Sequence, residues 1–319
     1  MTATVLCTAA PTSDEWLMWR PSGIGASEVA TVLGYNPYAT PLDLYLAKTG
    51  QAEPFTGNYA TRRGQHLEAF ILSTFADEHP GMVVESWPDI PSMLAHPDVP
   101  ALRASLDGLC HDKSTTAVVE IKSGSARQRG AWGDDTMPDA YLVQAQAQLA
   151  VTGLDVAYVA ADIGGDYIER VVPRDDAFID SMVQMVDHFW WNHCDPNGPR
   201  VMPDPDLVRD RDTLPRLWTA DVTAEPVVLG ADAIDRLRAA KAALNAAKTD
   251  YDLAAAEIQA QMRESVAAVD AAGDPVASWS PVKARESIDV KRLRAQYPAI
   301  AADLTMTGQP GRSFRVKGV

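Results

Sequence analysis

Three side chains in one short part of the sequence are of the types that hold a divalent cation and activate water. Asp107 stands beside Gly108, and Glu120 and Lys122 follow thirteen and fifteen positions later. Residues 116–122 are rich in the β-branched residues typical of a strand, and alternate residues of a strand project from one face. Two carboxylates and an ammonium group at one end of a sheet suit metal-assisted hydrolysis. An exposed hairpin with a simple Glu–Lys pair is the alternative.

The segments that flank these residues predict how they would be positioned. Residues 101–107 and 116–122 both have strand patterns, and Gly108 and the polar stretch 111–116 predict a hairpin turn between them. A helix is predicted over 138–152, which contains Gln144 and Gln148 at a spacing that places both on one helical face. One of these glutamines can therefore be structural while the other serves the chemistry.

The order of the remaining elements predicts the fold class. Helical patterns precede the strands, and the clearest of them, over 61–75, carries Glu68 among apolar residues. A surface glutamate in a salt bridge would explain Glu68 equally well from the pattern alone. After the helix at 138–152 come strands at 156–162 and 167–172 and an amphipathic helix at 176–194. This order predicts an α/β or α+β core with a central mixed β-sheet flanked by helices.

Composition limits the classes of protein and their environment. The 319 residues are 46% hydrophobic, which supports a large core, and no apolar run approaches the ~20 residues of a membrane span. Three scattered cysteines predict a reducing, cytoplasmic location. The net charge of −15 argues against a general nucleic-acid coat protein but leaves room for a nuclease with local cations.

The sequence divides into three parts. We predict a core domain over 1–200, a linker or wrapping loop over 201–230 that is rich in Pro and Asp, and a helical C-terminal extension over 231–319. Apolar residues of the extension, including Leu237 and Leu244, recur at spacings of three and four. This pattern predicts a helix that packs along a partner helix or, equally, one that docks within the monomer. The role of the extension stays open.

Four blocks in a fixed order resemble the YqaJ-like viral recombinases, which are related to lambda exonuclease and belong to the PD-(D/E)xK nuclease superfamily. The resemblance covers about residues 12–195. The blocks are WRPSGIGASEVATVLGYNPYATPLDLY (19–45), RRGQHLEAF (62–70), ASLDGL followed by VVEIKSG (104–124), and YLVQAQAQLAVTG (141–153). One position departs from the superfamily motif, because Leu106 stands where a proline is usual; this position supplies shape more than chemistry.

The resemblance implies a restriction-endonuclease-like core and a metal centre. The expected cofactor is Mg²⁺, for which Mn²⁺ can substitute, and these ions prefer hard oxygen ligands. In this family Lys122 corresponds to the lysine that orients and helps deprotonate the attacking water, although a simple counter-ion to Glu120 is the alternative. Gln144 is the expected glutamine of the site. The implied metal ligands are Asp107, Glu120, the backbone carbonyl of Ile121, and Glu68.

The resemblance also implies a pocket for a 5′-terminal phosphate, formed by Arg20, Ser27 and Ser105. The expected function is a Mg²⁺-dependent 5′→3′ exonuclease that acts on double-stranded DNA ends and leaves 3′ single-stranded tails for recombination. A homo-oligomer, a trimeric ring by the resemblance, and a single-strand annealing protein are the expected partners; no membrane is expected. A structure-specific endonuclease of the same superfamily and a catalytically silent DNA-binding scaffold are the alternatives.

Overall fold

The computed structural model describes residues 3–52, 57–133, 135–217, 223–282 and 289–305, and it divides into two compact units. The first unit is Met1–Leu217 and the second is Trp218–Val319. No helix of the described residues is both long enough and apolar enough to cross a membrane. Cys7, Cys110 and Cys194 are all buried and free.

A five-stranded mixed sheet forms the centre of the first unit. Its spatial order is β3-β6-β7-β8-β9, in which β7 and β8 are parallel and the other neighbours are antiparallel. The strands are β3 (Val83–Glu85), β6 (Gly108–His111), β7 (Thr116–Gly124), β8 (Val156–Ile163) and β9 (Tyr167–Pro173). The predicted central mixed sheet is thereby confirmed, together with the predicted strands at 116–122, 156–162 and 167–172.

A smaller four-stranded sheet has the spatial order β1-β4-β5-β2. Its strands β2 and β5 are parallel, and its other pairs are antiparallel. The strands are β1 (Thr4–Cys7), β2 (Ile24–Gly25), β4 (Met93–Ala95) and β5 (Leu102–Ala104). The prediction of one strand over 101–107 was wrong, because the chain leaves this sheet after Ala104 and enters the larger sheet at Gly108.

Helices flank the sheets, and several begin at the residues that favour helix starts. Thr40 caps α3 and accepts a hydrogen bond from the backbone N–H of Asp43, with Pro41 in the first turn. The helix α5 ends at Gly153, whose φ of 75° suits glycine. The helices of the first unit are α1 (Asp14–Trp19), α2 (Ala26–Val32), α3 (Pro41–Lys48), α4 (Tyr59–Glu78), α5 (Asp139–Thr152), α6 (Asp176–Phe189) and α7 (Leu214–Leu217).

The two faces of β7 pack against different helices. Val119 and Ile121 pack with residues of α4 such as Phe75, whereas Val118 belongs to the larger core that includes α5. Parallel strands need a crossover connection, and α5 supplies it between β7 and β8. Because side chains alternate along a strand, Glu120 and Lys122 project toward the same helix as Val118, which is α5.

Part of the predicted linker folds onto the first unit. Asp210 is 1% exposed; its carboxylate accepts hydrogen bonds from the hydroxyl of Thr40 (2.6 Å) and the backbone N–H of Asp206 (2.7 Å). Buried carboxylates need such partners, so residues 206–210 are anchored rather than loose. The division between the two units falls after Leu217.

The second unit contains a long helix and a small hairpin. Most of the helix is exposed, including Leu237 (38%) and Leu244 (62%), which recur at the predicted spacing. The described elements are α8 (Ala231–Met262), β10 (Ala267–Val269), β11 (Pro275–Ser278), α9 (Val290–Gln296) and α10 (Pro298–Asp303). The end of the predicted extension, residues 306–319, lies outside the described residues.

Candidate active site

The open edge of β7 holds Asp107 in place. The strand β6 begins at Gly108, opposite Val119, so it does not pair with the residues of β7 that follow. The backbone N–H of Ile121 instead donates a hydrogen bond of 2.8 Å to Asp107 Oδ2. The predicted hairpin turn is confirmed within 111–116, where it joins the antiparallel strands β6 and β7, but Gly108 is not part of it. Gly108 instead starts β6, and Asp107 occupies the bend before it. The N–H and C=O of one strand residue point to the same side, so the Ile121 carbonyl also faces this edge.

Glu120 is the most enclosed carboxylate of this region, at 2% exposure. Its Oε1 accepts hydrogen bonds from Lys122 Nζ and from Gln144 Nε2 (2.6 Å), and its Oε2 accepts one from Gln148 Nε2. Gln144 and Gln148 lie one turn apart on α5, so both reach the same carboxylate. Both glutamines therefore hydrogen-bond the Glu120 carboxylate and fix its orientation. The third glutamine of this helix, Gln146, is structural, because it bonds the backbone of Pro173 and Asp175.

Lys122 joins this group as a cation. Its Nζ also donates to Gln144 Oε1 (2.9 Å) and lies 5.0 Å from the ring centre of Tyr141. Burial acts to lower the pKa of Lys122, but attraction by Glu120 and Asp107 outweighs it and raises the pKa above the ordinary value. Lys122 is therefore an ammonium group that neutralises part of the carboxylate charge.

Two further carboxyl groups hold protons more tightly than usual. Burial and the charge of Glu120 raise the pKa of Asp107 well above its ordinary value, against the opposing effect of Lys122. Partial desolvation raises the pKa of Glu68, and the charge of Glu120 raises it further. Glu68 and Asp107 line one cavity of about 420 Å³ beside α4, which we call the carboxylate cavity. Glu68 and Asp107 therefore share this cavity, whereas the side chain of Glu120 points toward α5.

The donor chemistry of this region fits a hard divalent cation. Asp107 and the Ile121 carbonyl lie at the open edge of β7, and Glu120 projects from the adjoining face toward α5. Among the described contacts, Oδ1 of Asp107 accepts no hydrogen bond. Desolvation is the main cause of the raised pKa values of Glu68 and Asp107, and repulsion by Glu120 raises them further; a bound cation would relieve that repulsion. Within the described residues, no three side chains of His, Cys, Asp or Glu already converge as a complete ligand set. Oxygen atoms of the backbone, substrate or water would have to complete it.

The three residues predicted for a terminal phosphate lie around a second cavity. Arg20, Ser27 and Ser105 line a space of about 80 Å³, several times what one water molecule occupies, and Gln144 lines it too. We call it the guanidinium cavity. Arg20 is half-exposed and stacks over Trp16 at 5.1 Å. Gln144 therefore touches both this cavity and the Glu120–Lys122 pair.

Sequence reasoning missed two charged residues that line the guanidinium cavity and a third that pairs with one of them. Arg103 and Glu28 line it, and Lys48 pairs with Glu28 at 2.6 Å. Glu28 also lies 3.7 Å from Arg20 and accepts a hydrogen bond of 2.8 Å from the Gly25 N–H. Arg103 could have been noticed in the sequence, because it stands within the strand pattern LRASL. A charge in a buried strand costs folding free energy unless it has a partner or a ligand.

A third cavity adjoins the guanidinium cavity. It holds about 420 Å³ and is lined by Tyr38, Tyr141, Lys122, Gln144 and Ser27, among others. We call it the aromatic cavity. Ser27 and Gln144 are shared with the guanidinium cavity, and Gln144 and Lys122 belong to the Glu120 group. A ligand could therefore extend from one cavity to the next.

The first unit combines a mixed α/β core with a buried carboxylate–lysine–glutamine group, and comparison with known proteins shows which proteins it resembles. Residues 15–155 match the family model of the YqaJ-like viral recombinase domain, which confirms the predicted resemblance. The chain is 28% identical over 293 residues to the uncharacterized protein YqaJ of Bacillus subtilis, covering 90% of this chain and 89% of that protein.

Two solved structures are similar over about half of the chain. One is an alkaline exonuclease from Laribacter hongkongensis, with a TM-score of 0.44, 23% identity, and coverage of 56% of this chain and 90% of that chain. The other is a phage-related exonuclease from Haemophilus somnus, with a TM-score of 0.38, 12% identity, and coverage of 53% and 93%.

Proposed function

We propose that this protein is a Mg²⁺-dependent 5′→3′ exonuclease that removes nucleotides from the ends of double-stranded DNA and leaves 3′ single-stranded tails for recombination. The observation that carries the proposal is the place of Gln144, which lines the guanidinium cavity and hydrogen-bonds both Glu120 and Lys122. A cation-lined cavity beside a carboxylate centre suits an enzyme that binds a terminal phosphate and hydrolyses the next phosphodiester. The family match supports the same activity.

The proposed metal ligands are Asp107, Glu120, the Ile121 carbonyl and Glu68. A bound Mg²⁺ or Mn²⁺ would supply Lewis acidity, which stabilises charge on the phosphate and lowers the pKa of a coordinated water. Hydrogen bonds within the chain position these ligands: the Ile121 N–H fixes Asp107, and Gln144 and Gln148 fix Glu120. Such outer hydrogen bonds orient the ligand oxygens.

Lys122 can stabilise negative charge and position the attacking water. Its ammonium group is held by Glu120 and Gln144 at the wall of the aromatic cavity. Burial acts to lower the pKa of Lys122, and it is the two carboxylates, with a smaller effect of Tyr141, that keep the pKa raised. Neutralising those carboxylates would lower the pKa, which favours the proton-accepting role that the resemblance implies.

The 5′-terminal nucleotide would extend across the guanidinium cavity and the aromatic cavity. Its phosphate would enter the guanidinium cavity between Arg20, Ser27 and Ser105, since cations and hydroxyl groups suit phosphate oxygens. Its nucleoside would occupy the aromatic cavity, where Tyr141 and Tyr38 offer stacking surfaces. A homo-oligomeric ring and a single-strand annealing protein, both implied by the resemblance, remain part of the proposal.

The test uses linear duplex DNA with either a 5′-phosphate or a 5′-hydroxyl, incubated with the protein in Mg²⁺ or in EDTA. The proposal expects Mg²⁺-dependent degradation that prefers the phosphorylated end and is lost in Glu120→Gln. The matched control is Asp180→Asn, an exposed acid on α6 that should leave activity unchanged. Internal cuts without end preference would instead indicate an endonuclease, and no cleavage by the folded protein would indicate a silent scaffold.

A further inference from the structure

Arg103 is a buried cation without an acidic partner. It is 9% exposed, and within the part of the chain that the structure describes its polar contacts are all neutral. Its Nη1 donates to the backbone carbonyl of Trp19 and to Ser22 Oγ (2.8 Å), and its Nε donates to the carbonyl of Pro100 (3.3 Å). Burying a charge without a counter-ion is costly, so an anion that completes the site would offset that cost.

The contacts of Arg103 leave one arm of the guanidinium group available. A guanidinium has five N–H donors, and three of them are used by Trp19, Ser22 and Pro100. Nη2 has no hydrogen-bond partner among the described residues, and Arg103 lines the guanidinium cavity with Arg20, Ser27 and Ser105. The three bonds therefore hold the side chain rigidly, and the remaining arm is left for a ligand.

The chain also makes room for Arg103 in this position. A Cβ atom at Gly23 would lie 2.5 Å from Arg103 Nε and 2.6 Å from the carbonyl oxygen of Ala101. Such distances are too short for any side chain, so the glycine is needed for the close approach. The φ of Gly23 is −177°, ordinary extended backbone, which shows that space rather than conformation requires the glycine.

The charges around the cavity match a phosphate monoester. Lys48 neutralises Glu28, so the positive charges that remain are those of Arg20 and Arg103. A terminal phosphate monoester carries about −1.5 to −2 charges at pH 7, whereas an internal phosphodiester carries one. Two guanidinium groups therefore complement the monoester more fully than the diester.

We propose that Arg103 is a specificity-determining phosphate ligand, whose free Nη2 arm, together with Arg20, makes the guanidinium cavity select a terminal phosphate monoester. This inference rests on the proposed function, because it concerns how that site recognises a DNA end. It adds to the predicted set of Arg20, Ser27 and Ser105 a residue that the motif comparison did not supply. A purely structural role, in which Arg103 only braces the Trp19–Ser22 turn, is the competing account.

The experiment measures the binding of a short DNA hairpin, with either a 5′-phosphate or a 5′-hydroxyl, to the full chain in EDTA by fluorescence anisotropy. The ratio of the two dissociation constants is compared between the wild type, Arg103→Lys and Arg103→Gln. Lysine keeps the charge but has no second arm. We expect the preference for the phosphate to fall several-fold in Arg103→Lys and about 10- to 100-fold in Arg103→Gln, as for the loss of a charged hydrogen bond.

Arg174→Gln is the matched control, because Arg174 is also a partly buried arginine that donates to backbone carbonyls, those of Leu149 and Leu154. It should lose thermal stability and keep the wild-type preference. If either Arg103 variant is folded and retains the full preference, the inference is overturned while the proposed function stands. If the wild type itself shows no preference for the phosphate, the proposed end recognition fails first. The conservative lysine variant keeps the test decisive if the glutamine variant does not fold.

Discussion

The backbone N–H of Ile121 donates a 2.8 Å hydrogen bond to the carboxylate of Asp107, at the point where β6 no longer covers the edge of β7. This bond holds an acid that burial and two neighbouring carboxylates would otherwise disfavour in its charged form. It also places Asp107 beside the residue that separates Glu120 from Lys122. The position of Asp107 in the candidate active site is therefore set by the backbone of β7, at the residues that β6 leaves unpaired.

Asp107→Asn should stabilise the metal-free protein and abolish cleavage. The raised pKa of Asp107 means that its contribution to folding stability is fully present below the unfolded value, about pH 4, and is lost as the pH rises through the folded pKa. An asparagine can still accept the Ile121 N–H, so removing the charge should add on the order of 1 kcal/mol, about 2–4 °C, near pH 7.5.

Thermal unfolding in EDTA between pH 4 and pH 8 checks this prediction. The melting temperature of the variant relative to the wild type should rise with pH, while its nuclease rate falls at least about 100-fold. A variant that is less stable than the wild type at every pH would contradict the charge-repulsion argument.

Cation binding should release protons. The pKa values of Asp107 and Glu68 are raised, mainly by desolvation and then by Glu120, so these groups keep their protons to a higher pH than ordinary carboxyl groups, and a metal must displace those protons. Calorimetric titration with Mg²⁺ in two buffers of different ionisation enthalpy should show proton release on binding that becomes smaller as the pH rises, and the affinity should increase with pH. Glu68→Gln should reduce the number of protons released. Binding that is independent of pH would rule out both acids as ligands.

Gln148→Leu should reduce both stability and activity. Gln148 is fully buried and donates to Glu120 Oε2, and its own Oε1 is a buried atom without a partner among the described residues. Losing the donor should cost about 1–3 kcal/mol of folding free energy and about 10- to 100-fold in kcat/KM, as for other residues that orient a ligand.

Gln146→Leu is the comparison, since Gln146 bonds the backbone of Pro173 and Asp175 on another side of α5. It should lower the melting temperature but leave kcat/KM of the folded protein near the wild-type value. Equal kinetic losses in the two variants would show that Gln148 acts only through the stability of the helix.

A chain ending at residue 217 should fold, whereas one ending at residue 200 should be less stable. The longer chain keeps Asp210, whose buried carboxylate bonds Thr40 at the start of α3. Removing it leaves polar groups without partners, which should cost about 1–3 kcal/mol. Denaturant unfolding of both chains and of Asp210→Ala in the longer one tests this, and equal stability of the two chains would refute it.

The features that could be predicted best from the sequence are those set by local patterns and motifs. The alternation of Val118, Glu120 and Lys122 placed the last two on one face of β7, and the spacing of Gln144 and Gln148 placed both on one face of α5. Both results follow from the fixed periods of strands and helices. That both glutamines bond Glu120 is a result of the structure. The family resemblance grouped Arg20, Ser27 and Ser105 from their motifs, and in the structure all three line one cavity.

Contacts between distant segments could not be predicted in the same way. The break after Ala104, which sends two successive strands into different sheets, has no strong local signal because Ser105 and Leu106 are compatible with a continuous strand. The partners of Arg103 and Lys48 come from residues far apart in the chain, Trp19 and Glu28 respectively. The anchoring of Asp210 by Thr40 spans 170 positions and likewise has no local signal.

The central claim, 5′→3′ degradation, is tested most directly by measuring which terminal label of one DNA strand is released first. A duplex would carry distinguishable labels in the 5′-terminal and the 3′-terminal nucleotide of one phosphorylated strand, with the complementary strand blocked. The account predicts that Mg²⁺ starts the release of the 5′ label as a mononucleotide, and that the 3′ label is released only after the strand has been degraded. Release of the 3′ label first, or of long fragments carrying either label, would contradict it.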